Sequence, residues 1–552
     1  MTPERLAATI KAVVQSLVDS GELALDEVPD VVIERPKNRE HGDYATNAAL
    51  SLAKRAGMSS RDLALMIARE LAGAPGVKSA EVAGPGFINF RIEAAAAGEL
   101  AKSIVTAGAD YGRGASLAGQ KVNVEFISAN PTGPLHLGHT RWAAVGDAIA
   151  RVLDAAGADV AREFYINDRG VQIDLFGESI SAAAAGEPAP RDGYLGGYVT
   201  DLAAQILADH PEFASLPGEE RRIAFREEGY SRQLRQHKDV LHLFRTDFDV
   251  WYSERSLHES GAVERAMAKL KDEGYVYEAD GAVWLRTTAF DDDKDRVLIK
   301  ADGELTYFAS DAAYYVDKRD RGFDVSIYLL GADHHGYVNR LRAVAACAGD
   351  DPDKNIEVLI GQLVRMVRGG EEVIMSKRAG RMLTLEDLVD EVGVDAARYS
   401  LIRYPCDSPL TLDLELMVQR TNDNPVFYVQ YAHARISSVL RNAAQLGIDW
   451  RSVGFDPSLL TDERESVLLG VLAELPRVVA SAAELREPHR VARYLENVAS
   501  AYHKFYDSCR VLPLGQAPVE PINISRLWLC AAARQVIANG LELCGVNAPE
   551  RM

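Results

Sequence analysis

The sequence predicts a multidomain α/β protein. A parallel-sheet domain interrupted by an insertion follows a small α+β unit and precedes an all-α domain. Three observations carry this. The chain has 552 residues, which at about 150 residues per domain means three or four domains. Its middle alternates strand, loop, helix and strand at the spacing of parallel βαβ units. From about residue 383 onward the pattern is almost entirely helical.

The elements follow in order. Helical periodicity runs through 3–20 and 45–72. The start, MTPERLAATIKAVVQSL, mixes charges among its apolar positions, so it reads as a helix and not a secretion signal. Residues 78–92 hold two strand-like runs around the turn Gly84-Pro85-Gly86. The basic cluster Arg35, Lys37 and Arg39 reads either as a solvated loop or as a contact for a phosphate backbone. A Gly-rich joint over 107–120 leads to the strand VNVEFIS (122–128), a loop, a long helix over 138–156 and a strand over 160–166. The region 175–300 breaks the alternation and reads as an insertion, with a hairpin over 275–286 turning at Asp280-Gly281. A helix (310–320), a strand (325–331), a helix (336–348) and one strand-like run (357–366) resume it. The domains expected are 1–112, 118–395, a helical connector over 396–424, and 425–552.

Composition narrows the class. With 47% hydrophobic and 26% charged residues, the chain is neither disordered nor a small disulfide scaffold. No apolar run approaches the ~18 residues that span a bilayer, so no membrane partner is expected. The five cysteines form no CxxC pair and read as structural thiols in a reducing cytoplasm. A net charge of −20 argues against broad nucleic-acid binding. It leaves local basic patches free to act, because screening confines each field to about 10 Å.

Two motifs carry chemistry. His136-Leu137-Gly138-His139 sits where the first strand of the α/β domain passes through a loop into its helix. A helix start offers N–H groups and the positive end of the dipole to an anion. Imidazoles three residues apart share one face of the first turn, and Gly138 lets a flat base approach the backbone. The alternatives are a metal site, which lacks a third ligand nearby, and two structural histidines. Neither GxGxxG nor a triphosphate P-loop occurs at this junction. The second motif is Ile374-Met375-Ser376-Lys377-Arg378, behind the turn Gly369-Gly370. Alone it reads as a solvated turn; paired with the first it reads as a loop whose lysine neutralises a polyphosphate.

PxHLGH followed by MSK resembles the HIGH and KMSKS signatures of class I aminoacyl-tRNA synthetases. Glu125-Phe126-x-Ser128-x-Asn130, Asn167-Asp168-x-Gly170-x-Gln172 and Tyr307-x-x-x-Asp311 narrow the resemblance to the arginyl-tRNA synthetases. So do Asn424-Pro425-x-x-Tyr428-Val429-Gln430-Tyr431-Ala432-x-Ala434-Arg435 and the closing Ala548-Pro549-Glu550-Arg551-Met552.

The resemblance implies a Rossmann-like catalytic domain and a two-step reaction. Arginine and ATP form arginyl-adenylate, and the arginyl group then moves to the terminal adenosine of its tRNA. It implies catalysis by His136, His139 and Lys377. ATP is held by His136, Gly138, His139, Met375, Ser376 and Lys377, and arginine by Glu125, Ser128, Asn130, Tyr307, Asp311 and His334. A guanidinium is a fork of donors that carboxylates engage bidentately. RNA contacts are expected at Arg35, Lys37 and Arg39, and at Tyr428, Tyr431, Arg435 and Arg441. Magnesium is expected with ATP, no structural metal is expected, and the family implies a monomer. One departure stands out. Many relatives place a lysine just before HIGH and lack the MSK lysine; here Lys377 is present and Thr132-Gly133-Pro134-Leu135 holds no lysine. A second departure is Asp333-His334-His335, where some relatives carry glutamines.

Overall fold

The computed structural model describes the whole chain except Lys37, residues 374–382 and Gln516. The N-terminal unit is an antiparallel sheet of order β1-β2-β4-β3, from β1 (Ile33–Glu34), β2 (Tyr44–Thr46), β3 (Val77–Ala83) and β4 (Phe87–Ile92). Helices α1 (Pro3–Asp19), α2 (Ala48–Ala56) and α3 (Ser60–Leu71) pack with it. Leu6, Ile10, Val14 and Leu17 recur every three or four residues on α1 and are buried with Ile67, Ile88 and Phe90. The helical period expected over 45–72 is thus a short strand and two helices, broken at Gly57, whose φ of 64° is left-handed. Helix α4 (Ala94–Ala107) leads out of the unit.

The main sheet is parallel throughout, in the order β12-β11-β5-β6-β7. Its first half runs β5 (Lys121–Glu125), α5 (Leu137–Ala155), β6 (Asp159–Ile166), the helices α6 (Val171–Ala185), α7 (Gly197–Asp209) and α8 (Gly218–Leu243), then β7 (Val250–Ser253). Helices α9 (Glu254–Glu259) and α10 (Ala262–Asp272) and a small sheet of β8 (Val276–Ala279), β9 (Ala282–Leu285) and β10 (Arg296–Ile299) follow. The hairpin turn falls at Asp280 and Gly281, both left-handed, as predicted. The second half is α11 (Tyr307–Asp320), β11 (Val325–Gly331), α12 (Tyr337–Cys347) and β12 (Ile356–Gly361). The chain therefore returns to the opposite side of β5, which puts the topological switch point between β5 and β11. Ligands of such sheets bind at the carboxyl ends of the strands there.

Two expectations are refined. The region 175–300 is not wholly an insertion, because β7 is an edge strand of the main sheet; its short run VWYS carries too little periodicity to betray it. The single run over 357–366 is two strands. Beyond β12, the strands β13 (Val364–Arg368) and β14 (Glu371–Glu372) form a separate sheet with β15 (Leu410–Asp413), which breaks the otherwise helical region after 383.

Helices α13 (Leu385–Val392), α14 (Val394–Ile402) and α15 (Leu414–Val418) connect to a bundle of α16 (Pro425–Gln445), α17 (Glu463–Leu472), α18 (Leu475–Glu484), α19 (His489–Ser508) and α20 (Pro521–Leu543). Within Glu463–Glu484 an 18-residue window has a mean hydropathy of 1.5, enough by length and composition to cross a membrane. These residues form two helices, and Leu468, Leu472, Leu475 and Val479 are buried in the bundle core. A buried ion pair ties connector helix α14 to α5. Arg398, fully buried on α14, meets Asp147 of α5 and donates to the carbonyls of Phe244 (2.9 Å) and Cys544 (3.0 Å).

Candidate active site

Glu125 ends β5 at the switch point, and the next residues leave the sheet sharply. Ile127 (φ 70°) and Ser128 (φ 43°) are both left-handed, a conformation that costs a β-branched residue ~1–3 kcal/mol and tends to persist at functional sites. The kink returns the Ser128 hydroxyl to Glu125, where it donates to Oε1 at 3.0 Å and accepts the Tyr165 N–H at 3.1 Å. Ser128 thus orients the carboxylate.

The other oxygen of Glu125 meets a cation that sequence reasoning missed. Lys318 of α11, fully buried, places Nζ 2.6 Å from Glu125 Oε2 and 4.0 Å from Glu163 Oε1. Glu163 is the cross-strand neighbour of Glu125 in β6. It also receives two hydrogen bonds from Arg321 (2.6 and 2.9 Å) and one from Asn123 (3.0 Å). Lys318 and Arg321 sit three residues apart on the helix face that meets the sheet, which is the signal that could have located them.

Asp311 stands one turn after Tyr307 at the start of α11, which Thr306 caps by accepting the Ala309 N–H at 3.2 Å. Thr306 is thus an ordinary helix cap, whereas Asp311 is not an ordinary first-turn carboxylate. Burial, then Glu125 and Glu254, push its carboxyl up to about 7, with Arg340 opposing. Glu254, the first residue after β7, is a third carboxylate the sequence did not single out. Burial raises its pKa, and Arg169 opposes. Tyr307, 70% exposed, lines a cavity of about 1270 Å³ with Arg169, Glu254 and Ser310. His334 follows β11 on the other side of the switch point, half exposed, with Nε2 3.4 Å from Asp333 Oδ2.

The HLGH junction caps its own helix. His136 is the N-cap of α5; its Nδ1 accepts the Gly138 N–H at 3.1 Å, and His139 Nδ1 accepts the His136 N–H at 3.3 Å. This differs from the expectation that the first-turn N–H groups serve an anion directly: the Gly138 N–H is engaged by an imidazole. With Nδ1 accepting, each neutral ring carries its proton on Nε2 and is a donor there. The rings lie 3.9 Å apart between centroids and line a cavity of about 810 Å³ with Asn130, Gln172, Tyr194, Tyr198 and Thr384. Asn130 donates to Gln172. Met375, Ser376 and Lys377 lie outside the described residues. The residues that follow them pair with the junction: Leu137 N–H donates to Leu383 O (3.1 Å) and Leu385 N–H to Leu135 O (2.9 Å). The chain just beyond the second motif, Leu383 to Leu385, thus pairs with the HLGH junction some 250 residues earlier in sequence, about the His136–Thr384 bridge.

Among the described residues no three His, Cys, Asp or Glu side chains form a metal-binding group.

On the bundle, Tyr431 is 39% exposed and stacks on Phe427 (5.9 Å) and His503 (5.8 Å). Tyr428 is half-buried against His503 (5.1 Å), and Arg435 lies over the Tyr506 ring at 4.1 Å. His503 and Tyr506 were not anticipated, because α16 and α19 meet only in the fold; Phe427, four residues before Tyr431 on the same helix, was signalled by that spacing. Arg441 donates to Glu550 O at 3.0 Å and so anchors the C-terminus. Arg35 lies across α17, donating to Val467 O at 3.5 Å, and serves the contact between N-terminal unit and bundle. Lys37 lies outside the described residues, and Arg39 is placed by its backbone alone, in the 3₁₀ turn Arg39–His41.

A parallel sheet with HLGH at its switch point, and the segment about Thr384 paired with that junction, defines a class I aminoacyl-tRNA synthetase. Residues 101–185 and 226–404 match the family model for the class I (R) tRNA synthetase catalytic domain. Residues 4–92 match the arginyl tRNA synthetase N terminal domain, and 429–552 the DALR anticodon binding domain. The chain is 58% identical to the arginine–tRNA ligase of Paenarthrobacter aurescens and 57% identical to that of Kineococcus radiotolerans, each over 100% of both chains. The fold aligns with Thermus thermophilus arginyl-tRNA synthetase over 100% of both chains at a TM-score of 0.77 and 22% identity. The chain belongs to the arginine–tRNA ligase family: it uses ATP to join arginine to its tRNA.

Proposed function

We propose that the carboxyl ends of β5 and β11 hold arginine and ATP side by side, with the residues above in distinct roles. The juxtaposition of Glu125 and the HLGH junction, joined by a ten-residue loop from one strand, supports this most. Asp311, Glu125 and Glu254 face the guanidinium, Tyr307 and His334 border it, and Asn130 meets the backbone end of the substrate. Ser128 fixes Glu125. The arginine carboxylate attacks the α-phosphorus, pyrophosphate leaves, and charge builds on the phosphoryl oxygens. Nε2–H of His136 and His139 donates to them, a role in which one donor is worth ~3–4 kcal/mol of barrier. Lys377, with Met375 and Ser376, serves the leaving pyrophosphate; Magnesium enters as part of the MgATP substrate.

Lysine and citrulline leave the buried carboxyls imperfectly paired and are rejected on that ground. The tRNA is read by bases stacking on Tyr431 and Phe427, with Arg435 nearby. We place the enzyme in the cytoplasm, as a monomer. The test is pyrophosphate exchange with each amino acid, with and without tRNA. Exchange is expected with arginine alone, and only when tRNA is added; strong exchange with another amino acid contradicts the reading.

A further inference from the structure

The loop between β5 and the HLGH junction holds Pro131 and Pro134 and follows the two left-handed residues Ile127 and Ser128, so its own backbone has few regular hydrogen bonds to fix it. Three successive helices of the inserted region reach it. From α6, Gln172 accepts from Asn130. From α7, the Tyr198 hydroxyl donates to Thr132 O at 3.1 Å. From α8, His237 Nε2 lies 2.8 Å from Gly133 O and donates to it. His237 is fully buried, and among the described residues its Nδ1 has no partner. Since Gly133 O can only accept, the ring is fixed as the Nε2–H tautomer. Burial lowers its pKa to about 4, so it remains a neutral, single donor through the working range.

We propose that Tyr198 and His237 are positioning residues for arginine activation: by gripping two consecutive carbonyls, they set the height at which the chain delivers His136 to the ATP cavity. This rests on the role given to His136 above. Thr132 is buried, and three residues on from Gly133 the chain becomes the N-cap of α5. With Pro134 between, little freedom is left to absorb a shift. A rotation of either peptide plane therefore moves the imidazole. Tyr198 also borders the cavity beside His136, but it holds the loop through its hydroxyl's bond to Thr132 O, while His237 reaches the site only through the loop.

The test uses the full-length enzyme in tRNA-dependent pyrophosphate exchange, with kcat, KM for ATP, KM for arginine and the melting midpoint recorded for each variant. Tyr198→Phe keeps the ring and removes only the donor. His237→Leu removes the other donor, and His237→Gln restores an N–H at the reach of Nε2. Tyr198→Phe and His237→Leu are expected to lower kcat about tenfold, as a sub-ångström displacement of a catalytic group does, with KM for arginine changed less than about twofold. His237→Gln recovers most of the rate. Unchanged kcat in folded Tyr198→Phe overturns the inference, and so does a His237→Gln as impaired as His237→Leu; if His237→Leu does not fold, Tyr198→Phe decides. His136→Ala separates this from the underlying reading. If it is unimpaired, both fall; if it is impaired while Tyr198→Phe is not, the positioning role alone falls.

Discussion

Lys318 Nζ lies 2.6 Å from Glu125 Oε2, so the pocket proposed for a cationic substrate contains a buried cation of its own. The reason is the sheet. Parallel pairing places Glu125 opposite Glu163, and like charges side by side in adjacent strands repel. Lys318 and Arg321 answer that repulsion from one face of α11, and the lysine is further held over the rings of Tyr314 (4.4 Å) and Tyr328 (4.0 Å).

Removing Lys318 leaves two carboxylates buried without their shared counter-charge. Lys318→Met is expected to lower stability by ~3–5 kcal/mol, because the partner left behind cannot return to water. In the double variant Lys318→Met/Glu125→Gln much of that loss returns, since neither site then holds an isolated charge. Denaturant midpoints of the single and double variants measure the coupling; strictly additive losses contradict the account.

The arginine affinity should depend on pH near neutrality. Asp311, pushed up to about 7 by burial and then by Glu125 and Glu254, holds a proton in the folded state that an ordinary aspartate releases near ~3.9. Between those values the fold binds more protons here than the unfolded chain, so this group makes the fold less stable as pH rises from about 4 to about 7. A bound guanidinium favours the ionised form, so arginine expels the proton. KM for arginine is expected to fall, by up to about tenfold per pH unit, as pH rises toward 7, and then to level. Glu254→Gln removes one neighbouring charge and moves the break to lower pH. A profile with no break, or one that Glu254→Gln leaves in place, contradicts this.

Gly361 closes β12 against the indole of Trp142, three residues beyond His139. A Cβ at Gly361 would sit 1.4 Å from Trp142 Cη2, inside the ring rather than beside it. Gly361→Ala is expected to cost ~1–3 kcal/mol through overpacking and to reduce kcat more than KM for arginine, because the displaced indole belongs to the first turns of α5. Thermal melting and exchange kinetics check both halves.

Much of this site is legible in the sequence, and what is not has a common cause. HLGH, Tyr307 with Asp311, and Glu125 stand out because each lies within a few residues of its partner or at a strand end. Lys318, Glu163, Glu254, Tyr198 and His237 act across distances in sequence that only the crossing of β5, α8 and α11 brings together. The strand Val250–Ser253 was absorbed into the expected insertion because four half-buried residues alternate too weakly to be told from a loop. Ser128 shows a different limit. Its place in the motif suggested substrate contact, but positive φ at Ile127 and Ser128 turns the hydroxyl back toward Glu125.

Tyr431→Ala tests the RNA face. Stacking on an aromatic is worth ~1–3 kcal/mol per base, so KM for tRNA is expected to rise roughly fivefold to a hundredfold. KM for ATP should stay as it was, since the platform lies on α16, away from the sheet. An unaltered KM for tRNA removes Tyr431 from the interface.

The most direct test is a crystal structure with a non-hydrolysable arginyl-adenylate analogue. The phosphoryl oxygens should lie within hydrogen-bond distance of Nε2 of His136 or His139, and the guanidinium against Asp311 with Lys318 still on Glu125. An analogue seated elsewhere, or inserted with its guanidinium away from Asp311 and Glu125, contradicts the account.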